Sequence, residues 1–275
     1  MTLSRKDWLK LRQQYLTASD VSAVLHRNPW RTPLDVYVSK VTEPVEMDTD
    51  ATFMGRAMEE PIAQLYEKKI GRRVENIGET ELQVHQDIPW LAATLDRLIY
   101  VPGSLQGVPL EIKHSGLAAH WTDSAPIYVQ IQLQTQIACV DSKWGAVAAW
   151  VNRFYTEDFD RNDRFLEAAY PTLERFWDRV QRRDQPPAES PADIGALKAL
   201  YSEDDGDTVE LTEDDLETAN ELEDARQQIP WLEARIREAI GQARFGMLPD
   251  GTMLVAKTIT REDGVKYRQI RRKRV

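Results

Sequence analysis

Two short runs of strand-forming residues carry acids and one lysine at spacings that suit metal-assisted attack on a phosphate ester. They are Leu91-Ala92-Ala93-Thr94-Leu95-Asp96 and Val108-Pro109-Leu110-Glu111-Ile112-Lys113. Between them, Val101-Pro102-Gly103-Ser104-Leu105-Gln106-Gly107 has the Pro and Gly residues of a hairpin connection. Asp96 is then expected at the end of one strand, beside Glu111 and Lys113 on its neighbour. The strand period of two puts Glu111 and Lys113 on one face and turns Ile112 into the core. Hard divalent ions such as Mg2+ bind through carboxylate and substrate phosphate oxygens, and Asp96 and Glu111 can supply the former. A lysine beside them can orient or deprotonate an attacking water and offset charge developing on phosphorus. The same acid-x-lysine triplet also occurs on solvated strands with no such role, so the surrounding elements have to decide.

Those elements are legible in outline. Phe53 to Tyr66 has apolar residues at 54, 58, 62, 65 and 66, a helical spacing that should stop at Gly71, with Pro61 predicting a kink or a late start. Glu59 could point from this helix toward the strand acids as a third carboxylate, although spacing does not separate it from Glu60. Ile127 to Ala138 alternates like a strand, yet Ile127/Ile131 and Gln130/Gln134 stack at helical spacing, and a helix is the preferred reading. Lys143 to Val151 is small and apolar, as a buried central strand should be.

With these pieces in order, the chain resembles the YqaJ-like viral recombinase family, the phage lambda exonuclease branch of the PD-(D/E)XK nucleases. The resemblance rests on Trp8-Leu9-Lys10-Leu11-Arg12, Thr17-Ala18-Ser19-Asp20-Val21, Asn28-Pro29-Trp30-Arg31-Thr32-Pro33-Leu34-Asp35 and Gly55-Arg56-Ala57-Met58-Glu59. It continues through Asp96, Glu111-Ile112-Lys113 and Tyr128-Val129-Gln130-Ile131-Gln132, and covers roughly residues 5 to 185. It implies an α/β, restriction-endonuclease-like core, a central mixed sheet flanked by helices. It further implies that Glu59, Asp96, Glu111 and the Ile112 carbonyl bind Mg2+, with Mn2+ as an alternative. Lys113 would be the catalytic lysine, and Gln130 would position that lysine or the phosphate. Arg12 and Ser19 would hold a terminal 5′-phosphate, with Thr94 adding to the pocket; a guanidinium with neutral donors suits a phosphate dianion.

The activity so implied is 5′ to 3′ exonucleolytic digestion of double-stranded DNA ends, leaving a 3′ overhang for a single-strand annealing protein. A ring-shaped homotrimer would enclose the DNA. The alternatives are a nicking or restriction-type endonuclease of the same superfamily, or a non-catalytic recombination-associated protein whose acidic segment binds a partner. Two departures from the family pattern are noted. Arg97 follows Asp96 where glycine is usual, and either alters the strand end or contacts a DNA backbone. His114 follows Lys113 where a small residue is usual.

The net charge of −10 is at odds with DNA binding until it is located. Glu203 to Asp224 holds twelve acids and no Lys or Arg, which leaves the remainder at +2. The acidic run reads as a solvated helix face, or alternatively as a partner-docking surface. The 275 residues suffice for one α/β core and an appendage. The expected division is a nuclease core over 1–185, a Pro-rich linker over 186–200 and a C-terminal module over 201–275. In that module Thr212 caps a helix that Pro230 interrupts, and two strands follow around Glu262-Asp263-Gly264. One cysteine, Cys139, argues against a disulfide framework and fits a reducing bacterial cytoplasm. No apolar run reaches membrane length. There is no Gly-rich phosphate loop and no zinc spacing, and His26, His85, His114 and His120 are scattered as structural or surface residues are.

Overall fold

The computed structural model describes residues 4–44, 49–78, 81–102 and 107–274, which form two compact units, 1–203 and 204–275. The first contains helices α1 (Arg5–Gln13), α2 (Ala18–Val24), α3 (Pro33–Val41), α4 (Asp50–Ile70), α5 (Ile127–Cys139), α6 (Asp163–Arg182) and α7 (Ile194–Leu200). Its strands are β1 (Leu16–Thr17), β2 (Val74–Glu75), β3 (Leu82–Val84), β4 (Leu91–Thr94), β5 (Arg97–Ile99), β6 (Val108–His114), β7 (Trp144–Trp150) and β8 (Phe154–Asp160).

A five-stranded mixed sheet, ordered β2-β5-β6-β7-β8, carries the acid-x-lysine strand. β6 and β7 run parallel and the other pairs antiparallel, because α5 supplies the crossover that a parallel pair needs. α4 covers one face, packing Ile62, Ala63 and Tyr66 against Ile99, Leu110, Ile112, Ala146 and Ala148. α5 covers the other, with Val129, Leu133 and Ile137 against Val147 and Ala149. The approach of α5 is close enough that a Cβ on Gly145 would stand 2.8 Å from Leu133 Cδ1, so β7 needs glycine there.

The expected helix stops where predicted, at Gly71, whose φ of 76° closes α4 in the left-handed region. It starts early rather than late, at Asp50 behind a Thr49 cap, and runs through Pro61. The expected hairpin is corrected in part. The run Leu91–Asp96 does not pair with β6; β4 belongs to a separate three-stranded sheet, β1-β4-β3. The chain crosses to the larger sheet within residues 95 and 96, and β5 is the strand that pairs with β6. Of the connection, residues 103–106 lie outside the described residues.

The segment expected as a linker over 186–200 is partly core. Asp193 is buried and accepts from the Glu189 and Ser190 backbone amides, and Ala196, Leu197 and Leu200 of α7 pack with α3 and α6 residues. A chain ending at Glu203 keeps α7 whole. One ending at Pro191 should lose about 2–4 kcal/mol, the worth of two partly buried leucines and an alanine. Equal midpoints for the two truncations would remove α7 from the core.

The second unit consists of α8 (Glu213–Ile240), β9 (Phe245–Met247), β10 (Met253–Thr260) and β11 (Lys266–Lys273), the strands forming an antiparallel sheet in the order β11-β10-β9. Thr212 caps α8 through Asp215, and the helix passes Pro230 without ending, contrary to the interruption expected there. Among the described residues no helix is long and apolar enough to cross a membrane.

Candidate active site

The end of β5 creates the site. β5 pairs with β6 only as far as Arg97 opposite Leu110, so from Glu111 onward β6 has no strand on that side. An uncovered ladder amide needs another acceptor. Asp96, placed where the chain switches sheets, provides it: Oδ2 accepts from Ile112 N at 2.7 Å. The N–H and C=O of one strand residue face the same neighbour, so the Ile112 carbonyl opens on the same edge as the Asp96 carboxyl.

Glu111 and Lys113 point to the α5 face. Glu111 is fully buried; its Oε2 accepts from Gln136 Nε2 at 2.5 Å, while Oε1 lies against the Lys113 ammonium without an aligned hydrogen bond. Gln136 also donates to Thr94 O at 3.2 Å, which ties α5 to the end of β4. Burial, then the charges of Glu111 and Glu59, push the Asp96 carboxyl well above the usual range, against the opposing pull of Lys113. Burial works to lower Lys113, but the Glu111 and Asp96 carboxylates outweigh it and hold the ammonium above its ordinary value.

These groups line one cavity of about 440 Å³, together with Glu59 and Arg56 from α4, Thr94 from β4, His114, Gln132, and Arg5, Trp8 and Arg12 from α1. Glu59 and Glu60 are now distinguished. Glu59 faces the cavity, whereas Glu60 accepts from Arg97 Nη2 at 2.8 Å. Arg97 is buried and its other nitrogen returns to the Asp96 carbonyl at 2.5 Å. It therefore clamps the strand end to α4 instead of reaching a DNA backbone. Gln130 does not line this cavity; its amide donates to Ala125 O at 2.6 Å and to Ser124 Oγ at 3.2 Å. Gln136 stands against Glu111 instead, a role hidden in a segment where every second residue from 130 to 136 is glutamine.

The donor set fits a hard divalent ion. Asp96 and the Ile112 carbonyl offer oxygens on one open strand edge, with the Glu111 carboxylate on the adjoining α5 face, and Glu111 Oε1 is a buried oxygen with no aligned hydrogen bond. Among the described residues no three His, Cys, Asp or Glu side chains close into a ready cluster, so Glu59 shares the cavity with the pair without completing it.

Arg12, which also lines the cavity, donates from Nη2 to Ser19 Oγ at 2.9 Å and to Thr17 Oγ1 at 3.1 Å. The Arg12 and Arg5 guanidinium carbons lie 4.7 and 4.4 Å from the Trp8 ring centre. Behind them Asp20, buried at the start of α2, accepts from Thr17 Oγ1 at 2.6 Å and pairs with Lys40 at 2.7 Å and Arg31 at 2.8 Å. Burial alone would raise Asp20, yet Lys40, Arg31 and Arg12 hold it far below the carboxylate range. Arg12 and Thr94 thus line the same cavity as the acids, and Ser19 is joined to it through its hydrogen bond with Arg12.

Residues 7–143 match the YqaJ-like viral recombinase domain. The YqaJ protein of Bacillus subtilis (strain 168) is 24% identical over 257 residues, 89% of this chain and 79% of that protein. LHK-Exo, an alkaline exonuclease from Laribacter hongkongensis, superposes with a TM-score of 0.54 at 19% identity, covering 72% of this chain and 99% of LHK-Exo. LHK-Exo in complex with dAMP superposes with the same TM-score at 20% identity, over 71% and 97%. The fold is that of these enzymes, the PD-(D/E)XK fold.

Proposed function

We propose that this chain, a member of the YqaJ-like viral recombinase family, is a metal-dependent exodeoxyribonuclease that removes nucleotides 5′ to 3′ from double-stranded DNA ends. The observation that carries the reading is one cavity lined by Asp96, Glu111 and Lys113 and also by Arg12, whose guanidinium donates to Ser19 and Thr17 and which we read as the centre of a phosphate cradle. A cradle for a terminal phosphate beside a hydrolytic set selects ends over interior bonds. The dAMP held by LHK-Exo agrees with a mononucleotide product.

Asp96, Glu111 and the Ile112 carbonyl would hold Mg2+ or Mn2+, with Glu59 facing the same space. Such an ion, when bound, supplies positive charge to the scissile phosphate and lowers the pKa of water. The rest is done by the chain. Lys113, beside the Glu111 carboxylate, would orient the attacking water or donate to a phosphate oxygen and offset charge building there. Gln136 fixes the Glu111 carboxylate, and Arg97 fixes the strand end that carries Asp96. The overhang left in the bacterial cytoplasm would be the substrate of a single-strand annealing protein, and a homotrimeric ring would keep the enzyme on its DNA.

Digestion of linear and closed circular duplex DNA, with and without Mg2+, tests the reading. Loss of linear DNA alone, only with the ion, is expected; attack on circles would indicate an endonuclease, and no loss a binding protein. The wild type should also prefer 5′-phosphorylated over 5′-hydroxyl ends. Replacing Arg12 by Ala should narrow that preference roughly tenfold to a hundredfold, since a hydrogen bond to a charged group is worth about 1.5–3 kcal/mol. Equal wild-type rates on both ends would remove the cradle from the mechanism.

A further inference from the structure

A second aromatic surface lies outside the cavity. Trp30 is 61% exposed, an unusual position for an indole on an anchored turn. Asn28 Oδ1 accepts from the Trp30 and Arg31 amides at 2.9 and 3.1 Å, Asn28 Nδ2 donates to Ser22 Oγ at 3.0 Å, and Arg31 is held by Asp20. The backbone that carries the exposed indole is thus held in place. Facing the indole is His120, its ring centre 6.3 Å away and inclined by only 20°. The segment bearing His120 is anchored as well: Trp121 is buried edge-on to Tyr155, and Glu157 accepts from Ser124 Oγ at 2.9 Å and from Ala125 N at 3.0 Å.

Beside this pair a cleft of about 490 Å³ is lined by Arg27, Asn28, Pro29, His120, Ile127 and Tyr128, among others. From these observations we propose that Trp30, His120 and Tyr128 form a stacking shelf for the bases of unpaired DNA, an inference that rests on the nuclease reading above. Every base has a π-face, so an exposed, anchored aromatic pair takes single strands without regard to sequence. Duplex DNA keeps those faces stacked inside the helix and cannot use the shelf. Arg27 supplies a cation for the accompanying backbone.

The test uses the full chain in EDTA, so that binding is read without cleavage. Fluorescence anisotropy compares a blunt duplex with the same duplex carrying a short oligothymidine tail. The wild type should bind the tailed DNA more tightly. Trp30→Ala should reduce that tail advantage about tenfold, the lower part of the range for one stacked base, and Trp30→Phe should restore most of it. Because no charge is removed, the salt dependence of Trp30→Ala binding should match the wild type. A tail advantage that survives Trp30→Ala overturns the shelf, as does an equal loss on blunt and tailed DNA. Wild-type cleavage of linear DNA with Mg2+ separates the two readings. Cleavage without any tail advantage sinks the shelf alone, whereas no cleavage and no DNA binding sinks both.

Discussion

Replacing Asp96 by Asn or Lys113 by Met should each lower metal-dependent cleavage by about a thousandfold or more, while moving fold stability in opposite directions. Asp96 is buried and repelled by Glu111 and Glu59, so a neutral amide of the same shape relieves the metal-free protein and still accepts from Ile112 N. Asp96→Asn should be as stable as the wild type in EDTA or more so, as expected where a site is kept for chemistry. Lys113→Met strands the fully buried Glu111 carboxylate with Gln136 alone, at a cost of about 3 kcal/mol. The acidity of Asp96 adds a pH signature. A folded-state pKa above the unfolded value means that the native state binds the proton more tightly. The resulting stability is complete below about pH 4 and is lost as pH climbs through the raised value. Urea titrations in EDTA should show this decline for the wild type and its absence in Asp96→Asn. Near-normal turnover by a folded Asp96→Asn protein would dissociate this carboxylate from the chemistry.

The linear pattern revealed the chemistry better than the geometry that serves it. Alternation in Glu111-Ile112-Lys113 was sufficient to put acid and amine on one face, because strand period does not depend on the rest of the fold. The true hairpin partner of β6 is not legible in the sequence, because Leu91–Thr94 and Arg97–Ile99 are separated by only two residues. Nothing local marks the passage from one sheet to another. Glu59 and Glu60 were inseparable by spacing, and it takes the burial of Arg97 to draw Glu60 away. Gln136 was invisible for a similar reason: four glutamines at alternate positions are equivalent in a list of residues, and only the close seating of α5 on Gly145 decides which one meets Glu111. Pro230 interrupts a helix in the pattern but not in the fold, and α7 follows a Pro-rich stretch that resembles a linker until Ala196 and Leu197 are seen to pack. Asp20 gave no signal at all beyond its place in Thr17-Ala18-Ser19-Asp20.

Asp20 nevertheless carries the second large effect. The proton of Thr17 Oγ1 is committed to Asp20, which leaves a lone pair of that hydroxyl to receive Arg12 Nη2. Asp20 is therefore a positioning residue for the phosphate cradle, acting through Thr17. Its partners respond unequally to burial. Burial pulls Lys40 below its usual value despite the adjoining acid, while Asp20 is held far below its own by three cations. The pair contributes through the acid and costs through the amine. Asp20→Asn leaves Lys40, with a side chain only 5% exposed, without its counter-ion, and should destabilise the fold by about 3–5 kcal/mol. Adding Lys40→Met removes the stranded cation and should recover most of that loss. Recovery of stability should not restore end selection, because the Thr17 hydroxyl is no longer fixed as an acceptor for Arg12. The pH dependence runs opposite to that of Asp96. A depressed folded-state pKa gives stability that is present above about pH 4 and is lost as pH falls toward the folded value. The wild type should accordingly lose its advantage over Asp20→Asn under strong acid. Urea midpoints across acidic pH, read beside the rate ratio for 5′-phosphoryl and 5′-hydroxyl ends, separate the two roles. If the stable double variant kept the wild-type ratio, Asp20 would be confined to holding the fold, and Arg12 would be positioned by Ser19 alone.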